Sequence, residues 1–198
     1  LSNRPPGMTR EARLRGCLLG TAAGDALGLP REGLSASRAA RMLGPADRHA
    51  LLFGRSVLSD DTELTALSVQ SLWSEPDDPD RCADAFRRRL RRWVLLGPPG
   101  VGLATLRAGW RAWRLPADRC GVRSAGNGAA MRAAIFGAWF GPDDPARLER
   151  FVRANARVTH TDDRAIEAAV RVARLAAGLD EPRPGERPSD PSGFAPRT

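Results

Sequence analysis

The stretch Val57-Leu58-Ser59-Asp60-Asp61-Thr62-Glu63-Leu64 runs two apolar residues into a hydroxyl, two adjacent carboxylates and a further polar pair. Leu64, Leu67, Leu72 and Trp73 follow at helical spacing. The pattern predicts a helix N-terminus with Ser59 as N-cap and both aspartates in the first turn. There the acids face the positive end of the helix dipole, worth about 0.3–1 kcal/mol each. The same side chains suit a second chemistry: short oxygen ligands held side by side at a helix start fit a hard cation such as Mg²⁺ or Mn²⁺. The rest of the chain has to separate the two readings.

Upstream, Thr9 to about Gly28 reads as one helix, with Leu14, Leu18, Leu19, Ala22, Ala23 and Leu27 repeating at three and four. Gly16, Gly20 and Gly24 fall in register along it. Each glycine costs up to about 1 kcal/mol against alanine in a helix, so the stripe predicts a closely approaching neighbour. Asp25 lies near the end of this apolar helix, where a carboxylate needs a partner. Gly28-Leu29-Pro30 ends the helix, and Glu32 follows in a loop. Residues 1–8 read as a disordered lead-in, with Met8 a candidate start.

Downstream, a helix is expected over about Asp80–Leu96, with Phe86, Leu90, Trp93 and Val94 inward. Another is expected over Val101–Trp113, with Leu103, Leu106 and Trp110 inward. The small-residue loop Gly121–Gly128 feeds an apolar helix over Ala129–Phe140; such a loop brings N–H groups close to an anion such as a pyrophosphate. Pro145–Val158 and Ala165–Leu179 are the last helices. They are separated by Thr159-His160-Thr161-Asp162-Asp163, where Thr161 reads as an N-cap and the second Asp pair as capping. No convincing strand or repeat is visible, so the chain reads as all-α: a single compact multi-helix domain over 9–179, then a Pro-rich disordered tail over 180–198.

All 31 basic residues are arginine, and the formal net charge is +8. The arginines are spread along the chain, and the one cluster, Arg87-Arg88-Arg89-Leu90-Arg91-Arg92, fits a solvated helix face better than a nucleic-acid stripe. No apolar run approaches the roughly 18 residues a membrane span needs. Cys17, Cys82 and Cys120 form no C-x-x-C pair; reduced thiols point to a cytoplasmic setting.

Four separate signals, in this order and spacing, resemble the ADP-ribosylglycohydrolases. Gly16-Cys17-Leu18-Leu19-Gly20 through Gly24-Asp25-Ala26-Leu27-Gly28 is similar to that family's first helix, and Glu32 falls where its flap glutamate lies. Ser59-Asp60-Asp61-Thr62 resembles its first metal-ligand turn, Gly126-Asn127-Gly128-Ala129-Ala130-Met131-Arg132 its ADP-ribose loop, and Thr159-His160-Thr161 its substrate-side histidine. The resemblance covers about residues 10–178 and implies a hydrolase that releases ADP-ribose from a modified protein or small molecule at a dinuclear Mg²⁺ or Mn²⁺ site. On that basis Ser59, Asp60, Asp61 and Glu32 are expected metal ligands, and Glu32, Asp60 and Asp61 are the catalytic set. Gly126, Asn127, Gly128, Met131 and His160 are expected to hold the substrate. One departure stands out: the family's second Asp-x-Asp-Thr or Asp-x-Asp-Ser turn, about a hundred residues downstream, has no counterpart. The chain's only Asp-x-Asp is Asp78-Pro79-Asp80. A degenerate ADP-ribose-binding module without turnover, or an inactive fragment, is therefore carried as the alternative.

Overall fold

A computed structural model describes residues 8–44, 57–98 and 100–180. The expected lead-in, apart from Met8, and the tail beyond Asp180 lie outside the described residues. Among them the fold is all-helical: α1 (Arg10–Gly28), α2 (Ala36–Leu43), α3 (Asp60–Ser74), α4 (Pro79–Trp93), α5 (Leu103–Arg111), α6 (Ala117–Cys120), α7 (Ala134–Phe140), α8 (Pro145–Arg157) and α9 (Asp163–Ala177). Short 3₁₀ turns cover Leu29–Arg31, Val94–Leu96 and Asn127–Ala129. No described helix is long and apolar enough to cross a membrane. The three cysteines are free thiols.

The helix starts follow from side-chain caps. Thr9 Oγ1 accepts from the Ala12 N–H at 3.2 Å, and Ser59 Oγ accepts from the Asp61 N–H at 3.3 Å. Asp78 Oδ1 accepts from Asp80 and Arg81 at 2.8 and 3.1 Å, so the lone Asp-x-Asp serves a cap. Each such cap is worth about 1 kcal/mol. For α9 the expectation is corrected: Asp162, not Thr161, is the N-cap, accepting from the Arg164 N–H at 3.0 Å.

Two apolar clusters form the core. One joins α1, α7, α8 and α9 through residues such as Leu14, Ile135, Phe136, Phe151 and Ile166. The other joins α3, α4 and the α8 end through Leu64, Phe86, Leu90 and Val158. The stripes expected for α4 and α8 are buried as read. That of α5 holds only in part: Leu106 packs against the second cluster, but Leu103 and Trp110 are exposed, while Thr105, Ala108 and Gly109 are buried. A Cβ on Gly109 would stand 2.3 Å from a Val94 methyl carbon, so α5 packs by its small-residue face. Gly137 plays the same part between α7 and α9, where an added Cβ would lie 2.2 Å from the Ala173 carbonyl oxygen. Gly137→Ala is expected to lower stability by about 1–3 kcal/mol, the cost of forcing two packed helices apart, read from urea denaturation midpoints.

The glycine stripe of α1 meets a different outcome. Nothing among the described residues lies within 4 Å of a Cβ on Gly16, Gly20 or Gly24. Away from the glycine stripe, α1 and α3 leave an open apolar groove of about 990 Å³ lined by Leu14, Leu18, Leu19, Val69, Trp73 and Trp139. Trp73, read as part of the α3 stripe, is exposed and packs edge-to-face with Trp139, with ring centroids 6.1 Å apart. The arginine cluster is less free than a solvated face: Arg87 and Arg88 pair with Asp84, Arg87 donates to the Ala112 carbonyl at 2.6 Å, and Arg91 lies over Trp113.

Candidate functional site

The Ser59–Asp60–Asp61 turn is held from beneath by α1. Asp25 Oδ2 accepts from the Ser59 N–H at 2.8 Å, the Thr62 N–H at 3.3 Å and the Thr62 hydroxyl at 2.5 Å. This answers the partner that a carboxylate at the end of an apolar helix requires. Two amides of α3's first turn, which have no partner inside the helix, are satisfied by it. Glu63, the third acid of the turn, is drawn away from it, accepting from the Trp93 indole N–H at 2.6 Å.

What remains is a concentration of negative charge. Ser59 and Asp60 are buried, at 3% and 7% exposure. Burial, then the charges of Asp61, Glu32 and Asp25, push the Asp60 carboxyl up to about 7. Burial together with Asp25 and Glu32 raises Asp61 to about 6. Among the described residues no cationic side chain contributes to either shift. Glu32 itself is exposed and caps the 3₁₀ turn after α1. Gly100, at φ +81°, closes one side; a Cβ there would stand 3.3 Å from Asp60 Oδ1.

The donor set fits a divalent cation in kind: one hydroxyl and hard carboxylate oxygens, buried or partly buried, mutually repelling and without a counter-charge among the described residues. It is not a closed coordination shell. Among the described residues no group of three or more His, Cys, Asp or Glu is gathered tightly enough to hold a metal ion. Ser59, Asp60 and Asp61 thus bring one hydroxyl and two carboxyls together on one turn, with Glu32 close enough for its charge to be felt.

The second half of the site lies along α5. Five residues beyond Gly100, the buried Thr105 hydroxyl would stand 3.1 Å from a Cβ on Gly128. The Asn127–Ala129 turn is exposed at Asn127 and buried at Ala129, and Met131 packs against the α3/α4 core. A two-bond parallel bridge ties this loop to the α8–α9 junction: Val122 N–H to the Thr159 carbonyl at 3.1 Å, and Thr161 N–H to the Val122 carbonyl at 3.0 Å. His160, buried, lies against Gly126 and Gly128. Under the loop, Arg132 is fully buried. It donates to Asn155 Oδ1 (2.8 Å), the Asn155 carbonyl (3.1 Å), Thr159 Oγ1 (2.8 Å) and the Gly128 carbonyl, and its guanidinium lies over Phe86.

The expected residues therefore gather at two places joined by the start of α5: Ser59, Asp60 and Asp61 with Glu32, and Gly126, Asn127 and Gly128 with His160. Sequence reasoning left Asp25, Gly100, Thr105 and Arg132 without a role. For Asp25 the signal was present, a carboxylate in an apolar helix; for Thr105 there was none.

The family described as ADP-ribosylglycohydrolase matches residues 6–191. The chain belongs to the ADP-ribosylglycohydrolase family. An uncharacterized protein of Archaeoglobus fulgidus is 36% identical over 177 residues, covering 82% of this chain and 54% of that protein. The ADP-ribosyl-[dinitrogen reductase] glycohydrolase of Rhodospirillum rubrum is 31% identical over 181 residues, covering 85% of this chain and 58% of that one. Among solved structures, an ADP-ribosylglycohydrolase-related protein complex superposes with a TM-score of 0.61 at 31% identity, over 84% of this chain and 55% of its own. The chain spans about half the length of the curated relatives it matches.

Proposed function

We propose that this chain forms the substrate loop and one face of the metal site of a hydrolase that releases ADP-ribose from a modified protein or small molecule. The observation that carries the reading is the Ser59–Asp60–Asp61 turn, with Ser59 and Asp60 buried, both aspartates raised by burial and by neighbouring acids, braced by Asp25 and flanked by Glu32. Bound Mg²⁺ or Mn²⁺ supplies Lewis-acid charge at the ribose hydroxyls and at the attacking water. The chain's own residues do the rest. Ser59, Asp60 and Asp61 present oxygen ligands, and Glu32 takes a proton from the water as its oxygen bonds to the anomeric carbon. The glycosidic bond breaks with its electron pair going to the leaving group, which takes a proton from solvent water, and Glu32 returns its own proton to solvent. Gly126, Asn127, Gly128 and Met131 border the diphosphate and adjacent ribose, and His160 lies on the substrate side. The family membership and the rhodospirillal relative's printed activity support this class of reaction. Mn²⁺-dependent release of ADP-ribose from ADP-ribosylated arginine and serine peptides tests it. The expected result is release that EDTA abolishes; a protein carrying the whole family fold that releases none would remove the enzymatic reading.

A second reading, an ADP-ribose-binding module without turnover, is favoured by the lack of a closed cluster of three metal-binding side chains among the described residues. Calorimetry with ADP-ribose, with and without Mg²⁺, separates the two when run beside the release assay: heat of binding without product identifies the module.

A further inference from the structure

The proton positions around His160 can be assigned from its neighbours. Thr159 Oγ1 lies 2.8 Å from Arg132 Nη2 and 2.8 Å from His160 Nδ1. Arginine has no acceptor atom, so Arg132 donates to Thr159. The threonine hydroxyl has a single proton and two possible destinations: His160 Nδ1, or the Ala156 carbonyl at 3.4 Å. That carbonyl already accepts the Thr159 N–H at 3.1 Å and the His160 N–H at 2.9 Å, which occupies its two lone pairs. The hydroxyl proton therefore goes to Nδ1, and the ring's own proton sits on Nε2.

A doubly protonated ring is opposed from two directions. It would set an Nδ1–H against a hydroxyl whose own proton has no other good acceptor. It would also place a second buried cation beside Arg132, which has no carboxylate partner among the described residues. Burial and the Arg132 charge accordingly hold the imidazole down to about 4. The other edge of the ring faces the glycine loop. His160 Cε1 would lie 2.8 Å from a Cβ on Gly128, and Nε2 would lie 3.6 Å from one on Gly126. Nε2 has no hydrogen-bond partner among the described residues.

We propose that Arg132 and Thr159 act as positioning residues that lock His160 as the neutral Nε2–H tautomer, making it a hydrogen-bond donor for an uncharged or anionic oxygen of a ligand at the Gly126–Gly128 loop. It is then not a proton acceptor in the reaction, and ligands that present only a donor at this point are rejected. The identity of the ligand rests on the ADP-ribose reading above; the tautomer does not.

Long-range ¹H–¹⁵N correlation spectra of the ¹⁵N-histidine-labelled protein test the proposal, with His49→Gln used to assign the only other histidine. The expected spectrum has a pyrrole-type Nε2 and a pyridine-type Nδ1, unchanged from about pH 8 to about pH 5, where an ordinary histidine titrates. Thr159→Val, verified as folded by circular dichroism, is expected to mix the tautomers, and Thr159→Ser to retain the single form. A pyrrole-type Nδ1, a doubly protonated ring at neutral pH, or an unchanged spectrum in Thr159→Val overturns the lock. Adding ADP-ribose is expected to shift the Nε2–H resonance. If the lock is found but that resonance does not move, it is the ADP-ribose reading that fails.

Discussion

Asp25→Ala is expected to destabilise the protein by about 3–5 kcal/mol, the largest loss foreseen for any single side chain outside the apolar core. Asp25 takes three donors on one oxygen: two amides of the first turn of α3 and the Thr62 hydroxyl. Hydrogen bonds to a charged acceptor contribute about 1.5–3 kcal/mol each, and donors left without a partner in a buried turn carry their desolvation cost in full. One effect opposes this. The Asp25 charge also raises Asp60 and Asp61, so its removal relieves some repulsion. Burial is the first cause of both shifts, so the lost hydrogen bonds win. Asp25→Asn keeps an acceptor oxygen and drops the charge, and about 1–2 kcal/mol is expected from the weaker, neutral bonds. Urea denaturation in EDTA measures both variants. An alanine variant as stable as the parent would show that α3 starts without help from α1.

Asp60→Asn combined with Asp61→Asn is expected to act in the opposite direction and to depend on pH. The native Asp60 carboxyl keeps its proton up to about 7, whereas in the unfolded chain it ionises near 3.8. Between those values the native state binds more protons than the unfolded one, so stability falls as pH rises through the window. Asp61 behaves alike up to about 6. With solvent access and coupling between the acids discounted, the parent loses on the order of 2–4 kcal/mol from pH 4 to pH 7.5 in EDTA, and the double variant stays nearly flat. The carboxyls that ion pairs hold low, Asp162, Glu167 and Asp180, act below this window. Mn²⁺ should restore the parent at neutral pH and leave the variant unmoved, because a ligand stabilises only the state that binds it. A double variant that keeps the parent's Mn²⁺ response contradicts the ligand assignment.

Most of the helices were legible because their ends are written in short polar side chains. Thr9, Ser59 and Asp78 each cap a start, a second polar run marks the start of α9 although its cap is Asp162 and not Thr161, and large apolar residues mark the inward faces of α4, α8 and α9. The α5 stripe is only partly right, for a definite reason. Leu106 packs inward, but Leu103 and Trp110 do not, because the close approach of Val94 falls on Gly109. Periodicity reports where bulk recurs, not where two backbones must nearly touch. Likewise the apolar run from Ala129 begins as a 3₁₀ turn and becomes α-helical only at Ala134, since the buried Arg132 is engaged with the Gly128 carbonyl and the α8 end. At the site, the Ser59–Asp60–Asp61 turn, the glycine loop and His160 were visible as motifs. That α5 links them, and that Asp25 and Arg132 brace them from behind, depends on contacts between residues far apart in the chain.

Those distant contacts also order events in time. Arg13 Nε donates to the Ala138 carbonyl across 125 residues, and α1 finds its core partners mainly on α7 and on α3. By contrast α7, α8 and α9 meet across short turns and can associate as soon as they exist. Closing a long loop costs more entropy than closing a short one, and its contacts form later. During synthesis, then, α1 leaves the ribosome well before α7 exists, and its contacts with α7 are among the last to form. Until α1 arrives, Asp25 is absent from the Ser59 turn, and the two aspartates it braces are not yet fixed in place.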